Sequence, residues 1–330
     1  MNLKTKYLEF ELKSPIIPSA SPLSEKLENI KIMEDNGAAA VVLFSLFQEQ
    51  VELEQKELHN SISDTLHISA EASHYFPEPF EYKLTKDKYL EHIRKAKESV
   101  SIPIIASLNA TSLGAWIEYA KNIKEAGADA LELNLYRIPT QLSLGAETIE
   151  KEYLDIIMTI KNLVQIPLAV KISPYFTNLA NMALKIAEAG ADALVLFNRF
   201  MQPTIDLDNL ELDTHIALSH SGVSREAMRW IAILKKKIPV YFAATSGIHT
   251  GLDIAKLILV GADVTQTASA LIKNGITHIK SMENELIKWM EEKEYQSIEQ
   301  MKGAMSQFNI PNPSAFERAH YIKALLSYKI

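Results

Sequence analysis

Cysteine is absent from the 330-residue sequence. That excludes a disulfide framework, thiolate metal sites, iron–sulfur ligation and any cysteine nucleophile or base. No apolar run approaches membrane-spanning length, and the opening Met1-Asn2-Leu3-Lys4 lacks the apolar core of a signal peptide, so a cytoplasmic protein is expected. Positive charge is in deficit: 34 Lys and Arg against 41 Asp and Glu leave a formal net charge of −7. Neither nucleic acid nor an anionic membrane is the expected partner. The nine histidines show no HxH or HExxH-like spacing, which argues against metal catalysis. Nor does a glycine-rich dinucleotide fingerprint follow any strand.

What is present is an internal repeat. Four times an amphipathic helix ends in a small-residue turn that runs straight into an apolar strand: Asn36-Gly37-Ala38-Ala39, Ala126-Gly127-Ala128-Asp129, Ala189-Gly190-Ala191-Asp192 and Val260-Gly261-Ala262-Asp263. A second junction alternates with it and opens a strand with proline, where no ladder donor is required: Ser14-Pro15, Ile102-Pro103, Ile166-Pro167 and Ile238-Pro239. Together they predict strands near 15–20, 39–45, 103–108, 130–135, 167–173, 193–198, 239–245 and 262–267. All are continuous apolar runs, as parallel strands covered on both faces require.

Intervening helices are predicted from Leu113 to Ala126, with Trp116, Ala120 and Ile123 on one face, and from Leu179 to Ala189. Eight such units in an unbroken chain predict a single (β/α)8 barrel domain over residues 1–330. Residues 1–14 should add a hairpin plugging the barrel bottom. Residues 46–85 form an excursion on the active face, and 276–330 supply C-terminal helices.

Function in this fold sits at the C-terminal strand ends. There the sequence places Ala20 and Ser21, Ser45, Asn109, Asn134, Lys171, Asn198, Ser246 and Gly247, then Ala268 and Ser269. The loops after strands 7 and 8 are small, with closely spaced backbone N–H groups, and so suit a phosphate. Lys171 closes an apolar strand at the mouth, where its charge must meet an anion. An electron-accepting ring or a Schiff base would both use it.

Four segments carry a resemblance: Leu12-Lys13-Ser14-Pro15-Ile16-Ile17, Ala126–Asn134, Ala169-Val170-Lys171-Ile172-Ser173-Pro174-Tyr175 and Ser246-Gly247-Ile248-His249-Thr250-Gly251. In this order they resemble the class 1 dihydroorotate dehydrogenases, and more closely the branch called dihydroorotate dehydrogenase-like proteins. The likeness spans nearly the whole chain. It implies non-covalent FMN and oxidation of dihydroorotate to orotate in pyrimidine biosynthesis. By position it implies that Ala20, Ser21 and Ser45 line the flavin. Asn134 and Lys171 would bond its ring edge, and Ser246, Gly247, Ala268 and Ser269 would hold its phosphate. Asn198 would meet substrate.

The substrate half departs from the family. Phe44 stands where the family has a lysine, and Arg137 stands where it has its cysteine base. The excursion shows His74-Tyr75-Phe76-Pro77 instead of an asparagine-rich motif. Arginine does not serve as an ordinary general base, so Arg137 is expected to pair with a substrate carboxylate, beside His74. Tyr136, Ser143 and His74 are the candidate proton acceptors. The reading is thus an FMN-dependent oxidoreductase acting on a small anionic substrate, with an unidentified electron acceptor and a homodimer expected. The alternatives are a Schiff-base or phosphosugar barrel built on Lys171, and a flavin-binding barrel without catalysis.

Overall fold

The repeat closes into a barrel. The computed structural model describes residues 1–53, 85–200, 202–213, 217–317, 321 and 325–327. Its barrel strands are β3 (Ile16–Pro18), β4 (Val41–Phe47), β5 (Ile104–Asn109), β6 (Ala130–Asn134), β7 (Leu168–Ile172), β8 (Ala193–Leu196), β11 (Tyr241–Thr245) and β12 (Val264–Thr267). They form one eight-stranded sheet in the order β3-β12-β11-β8-β7-β6-β5-β4. Neighbours pair in parallel, and the Ala39 N–H to Ile16 carbonyl bond (2.9 Å) ties the last strand to the first.

The strand-opening aspartates explain the repeat physically. Asp129 accepts from the Ile104 N–H at 2.7 Å and from Lys97 Nζ at 2.7 Å. Asp192 accepts from the Leu168 N–H at 2.7 Å and pairs with Lys161, while Asp263 accepts from the Phe242 N–H at 2.8 Å and pairs with Lys235 and Lys302. Each carboxylate thus binds a backbone donor at the start of the preceding strand and ties a lysine from the surrounding helices or their C-terminal ends to it. The first repeat lacks the aspartate. Glu34 of the preceding helix instead accepts from the backbone of Ser101 (2.8 Å) and Ile102 (3.2 Å), ahead of the following strand β5.

Two apolar shells follow from the alternation of side chains along each strand. An inner one unites Ala130, Ala169, Ala193, Ala243 and Val264 with Tyr7, Leu8 and Leu12 of an antiparallel hairpin, β1 (Thr5–Tyr7) and β2 (Phe10–Leu12). The alanines leave the room that the buried Tyr7 ring fills, so the hairpin closes the floor as expected. The outer shell packs helices on strands. It includes the helix Leu113–Glu125, which buries Trp116, Ala120 and Ile123 together with Tyr119, and the helix Leu179–Glu188.

The C-terminal helix His278–Glu292 packs on the barrel through the helix Gly251–Val260, where a Cβ at Gly251 would lie 2.4 Å from the Leu286 nitrogen. Sequence pattern missed a second hairpin, β9 (Thr204–Asp206) with β10 (Glu211–Asp213). Most of the expected 46–85 excursion lies outside the described residues, as does His74. Among the described residues no helix is long and apolar enough to cross a membrane.

Candidate functional site

A cavity of about 760 Å³ opens at the C-terminal ends of the barrel strands. Its lining brings together Ala20, Ser21, Ser45, Asn134, Lys171, Asn198, Ser246, Gly247, Ala268 and Ser269. Asn109 is not part of that lining. It is buried at the end of β5, with its amide nitrogen lacking a hydrogen-bond partner. Arg137 is not part of it either: its guanidinium pairs with Glu152 of the helix Ala146–Val164, on the outer side of the loop. The reason is local geometry. Just past the end of β6 the Tyr136 N–H turns back to the Asn134 carbonyl at 2.9 Å, and Tyr136 lines the cavity while Arg137 does not. Ser143 is exposed and absent from the lining; His74 lies outside the described residues. Of the two candidate proton acceptors among the described residues, Tyr136 lines the cavity and Ser143 does not.

The cavity's inner wall is polar and ordered. Lys171 Nζ lies 3.5 Å from Glu132 Oε1, and both side chains are almost fully buried. Gln266 Nε2 donates to Glu132 Oε2 at 2.7 Å, and the Ser19 hydroxyl donates to Gln266 Oε1 at 3.4 Å. Beneath them the Tyr7 hydroxyl is buried without a hydrogen-bond partner. Its pKa is pushed well above the ordinary value, first by burial and then by the charge of Glu132. Buried charges are tolerated only when paired and hydrogen-bonded, so this array holds Lys171 in place from below. Across β7 the Asn198 amide donates to Asn134 Oδ1, and on the neighbouring strands β4 and β5 the Ser45 and Ser107 hydroxyls share a hydrogen bond of 2.7 Å.

Glu132 and Gln266 were not singled out from sequence. The signal was available: Glu132 interrupts an apolar strand two residues before Asn134, which puts both on the inward face.

The opposite wall is made by the loops after β11 and β12. Ser246 and Gly247 adopt φ of 71° and 74°. A Cβ at Gly247 would stand 2.5 Å from the Ser224 nitrogen and 2.8 Å from the His220 carbonyl oxygen, so only glycine fits. Several of the N–H groups expected to face a phosphate are already engaged. The buried carboxylate of Asp253 accepts from the His249 and Thr250 N–H groups, both at 3.1 Å, and from the Ser221 hydroxyl at 2.8 Å. Gly251 N–H donates to Glu285. At the cavity itself, Ser219 Oγ accepts from the Gly247 N–H at 3.2 Å while its own N–H donates to Ser269 Oγ at 3.2 Å. Of these loops, Ser219, Ser246, Gly247, Ala268 and Ser269 line the cavity itself. His249 contacts Ser219 Oγ at 3.2 Å, and partial burial lowers its pKa.

Phe44, in the family's lysine position, lines the cavity and packs edge-on against Tyr89, with ring centroids 5.0 Å apart. Its other neighbour is His92, which donates from Nε2 to the Ser24 carbonyl at 2.7 Å.

The arrangement puts a cation and two carboxamides on one wall and small, donor-bearing loops on the other, as a flat heterocycle with a phosphate tail requires. The family model for dihydroorotate dehydrogenase matches residues 84–290. The chain belongs to the dihydroorotate dehydrogenase family. It is 26% identical over 307 residues to the dihydroorotate dehydrogenase B (NAD(+)) catalytic subunit of Thermoplasma acidophilum, covering 92% of this chain and 98% of that protein. The protein of the same description from Thermoplasma volcanium is 28% identical over the same shares of both chains. That from Methanocaldococcus jannaschii is 26% identical over 315 residues, covering 91% of this chain and 97% of the relative. Family membership carries with it oxidoreductase chemistry.

Proposed function

We propose that this chain is an FMN-dependent oxidoreductase whose barrel forms one FMN-binding domain. The observation that carries the reading is the two-walled cavity. Lys171, Asn134 and Asn198 face it from the strand ends, and the tight Ser246–Gly247 and Ala268–Ser269 turns lie across it. These residues fit the group. Lys171 supplies positive charge at a ring edge, the carboxamides supply a donor and an acceptor, and the small turns let backbone approach a phosphate. FMN, when bound, would accept a hydride from substrate carbon. The chain would orient the two reactants, and Tyr136 would be within the cavity to receive a substrate proton.

Dihydroorotate oxidation is proposed to be weak or absent. The sequence has no cysteine to act as base, and Arg137 is engaged with Glu152. A positioned base contributes roughly 10²–10⁴-fold, so its loss should dominate. The Schiff-base alternative is disfavoured because Lys171's amine is engaged in an ion pair with Glu132. The catalytically silent flavin barrel is the second reading, favoured by Phe44 and by the placement of Arg137.

The relatives' description as catalytic subunits supports a further subunit carrying the route to the electron acceptor. The hairpin of β9 and β10, with Leu207 and Leu210 about four-fifths exposed, supports self-association as a homodimer. The test of the cofactor is the visible spectrum of the purified protein with mass analysis of what denaturation releases. A colourless protein that takes up no FMN on titration overturns the reading. Anaerobic mixing with dihydroorotate should bleach the flavin slowly or not at all, and rapid stoichiometric bleaching would restore the family reaction.

A further inference from the structure

The floor hairpin and the cavity meet at one buried carboxylate. Of the two cations that line the cavity, Arg199 is exposed and donates to the Ala217 carbonyl, whereas Lys171 is sealed among the barrel strands with its side chain 10% exposed. Lys171 faces Glu132, whose side chain is 1% exposed. The two oxygens of that carboxylate are unequally served. Oε2 accepts from Gln266 Nε2 at 2.7 Å, and Gln266 Oε1 in turn accepts from the Ser19 hydroxyl at 3.4 Å. Oε1 lies 3.5 Å from Lys171 Nζ, longer than a charged hydrogen bond, and makes no hydrogen bond.

A second unserved atom belongs to the hairpin. Tyr7 ends β1 with its ring fully buried in the inner shell, edge-on to Tyr241 with centroids 6.1 Å apart. Its hydroxyl has no hydrogen-bond partner among the described residues, and burial together with the charge of Glu132 keeps it protonated. A buried donor and a buried acceptor, each unpaired, both cost free energy. The other titratable groups whose charge is felt here are engaged elsewhere. The Tyr89 hydroxyl, from the helix Thr85–Ser99, bonds the Ser107 carbonyl at 3.0 Å and the Ser107 N–H at 2.9 Å. Asp263, ahead of β12, is paired with Lys235 and Lys302. The Tyr7 hydroxyl is what remains to answer Glu132 Oε1 when Lys171 turns away.

We infer that Tyr7 is a positioning residue for the cofactor site: its hydroxyl is the reserve donor for Glu132 Oε1, and keeps that carboxylate charged while Lys171 turns its ammonium to the flavin ring. This rests on the FMN reading. A hydride brings two electrons and one proton and leaves the ring with one negative charge, which competes with Glu132 for the same lysine. The hydroxyl resolves the competition by taking over Oε1, so the buried carboxylate needs no proton of its own. Without the hydroxyl, Glu132 takes up a proton from solvent as the ring is reduced.

The test is spectroelectrochemical titration of the FMN-loaded protein between pH 6 and 9, in wild type, Tyr7→Phe, Glu132→Gln and the double variant. With one proton per two electrons, the wild-type equilibrium constant should fall tenfold, or about 30 mV, per pH unit. Tyr7→Phe retains the ring and its packing; it should lower the midpoint at pH 9 and steepen the slope toward a hundredfold, or about 60 mV, per pH unit. In the Glu132→Gln background Tyr7→Phe should leave the slope unchanged, because no carboxylate is there to titrate. A merely structural tyrosine would alter Tm and leave the slope alone. The apoprotein supplies a readout that needs no flavin, Tm at pH 8. Tyr7→Phe should lower Tm when Lys171→Ala has left Glu132 without its cation, and should leave Tm unchanged or raise it when Lys171 is present. A wild-type slope in loaded Tyr7→Phe, a steepened slope that persists in the double variant, or equal Tm effects with and without Lys171 overturns the inference and leaves the FMN reading standing. Failure of the protein to take up FMN overturns both.

Discussion

The two halves of the cavity are built from different materials. On the side proposed for the cofactor, groups come from barrel strands and from turns whose geometry is set by backbone: Glu132, Gln266 and Lys171 are almost fully buried, and Gly247 admits no side chain. On the substrate side, groups come from loops. Arg199 and Tyr175 are exposed, and Arg137 is spent on a partly exposed ion pair. Strand ends hold a site rigidly and tolerate little change, whereas loops can be rewritten at small cost to the fold. A barrel can therefore keep its cofactor grip while its substrate chemistry changes.

The contrast is broken most directly at Gly247. Gly247→Ala puts a Cβ against backbone atoms 2.5 Å and 2.8 Å away, in a residue with φ of 74°. Overpacking and left-handed strain together should cost about 3 kcal/mol or more, read as a drop in Tm and loss of FMN retention. An unchanged Tm would show that the cofactor half is no more rigid than the loops. Next in size is Lys171→Ala, which should lower the flavin's reduction potential. A charged hydrogen bond is worth about 1–3 kcal/mol, and that is tens of millivolts for a two-electron couple.

Glu132→Gln sharpens the same point with the opposite sign. Removing the buried negative charge under Lys171 should raise the potential, and spectroelectrochemical titration of both variants checks the pair. A shift of the same sign in both would mean that the array does not act electrostatically on the ring.

Arg137→Ala should do least to stability. A surface ion pair with Glu152 contributes about 0–1 kcal/mol. A Tm loss as large as that of Gly247→Ala would move Arg137 into the structural half. The smallest expected effect is with pH. Burial is the largest cause lowering the pKa of His92 below its ordinary 6.5. The unfolded chain therefore binds the extra proton first as pH falls below 6.5, so stability present above that pH is lost on acidification. His92→Gln should flatten the fall of Tm between pH 7 and 5; an unchanged slope would assign it to other groups.

Much of the barrel could be read directly. Small-residue turns and strand-opening prolines recur at spacings that admit only alternating strands and helices, and the eight strands lie within a few residues of where they were expected. Lys171 and the turns after β11 and β12 were legible because strand-end position alone assigns them to the mouth. Asn109 was assigned by the same logic, yet it stays buried outside the cavity lining. Arg137 and Arg199 were not legible in this way. Arg137 stands three residues after Asn134 and Arg199 directly after Asn198, and whether either side chain turns in or out depends on the path of the loop and on which carboxylate or carbonyl is there to meet it.

By itself, then, the sequence determined the closed parallel sheet, its plugged floor and a polar mouth, because those follow from periodicity and from backbone demands local to each turn. Only the tertiary structure decided which charges face one another: Lys171 with Glu132 from the adjacent strand, Arg137 with Glu152, and Arg199 left over the cavity. Charges compensate through space, between residues that the chain order does not bring together.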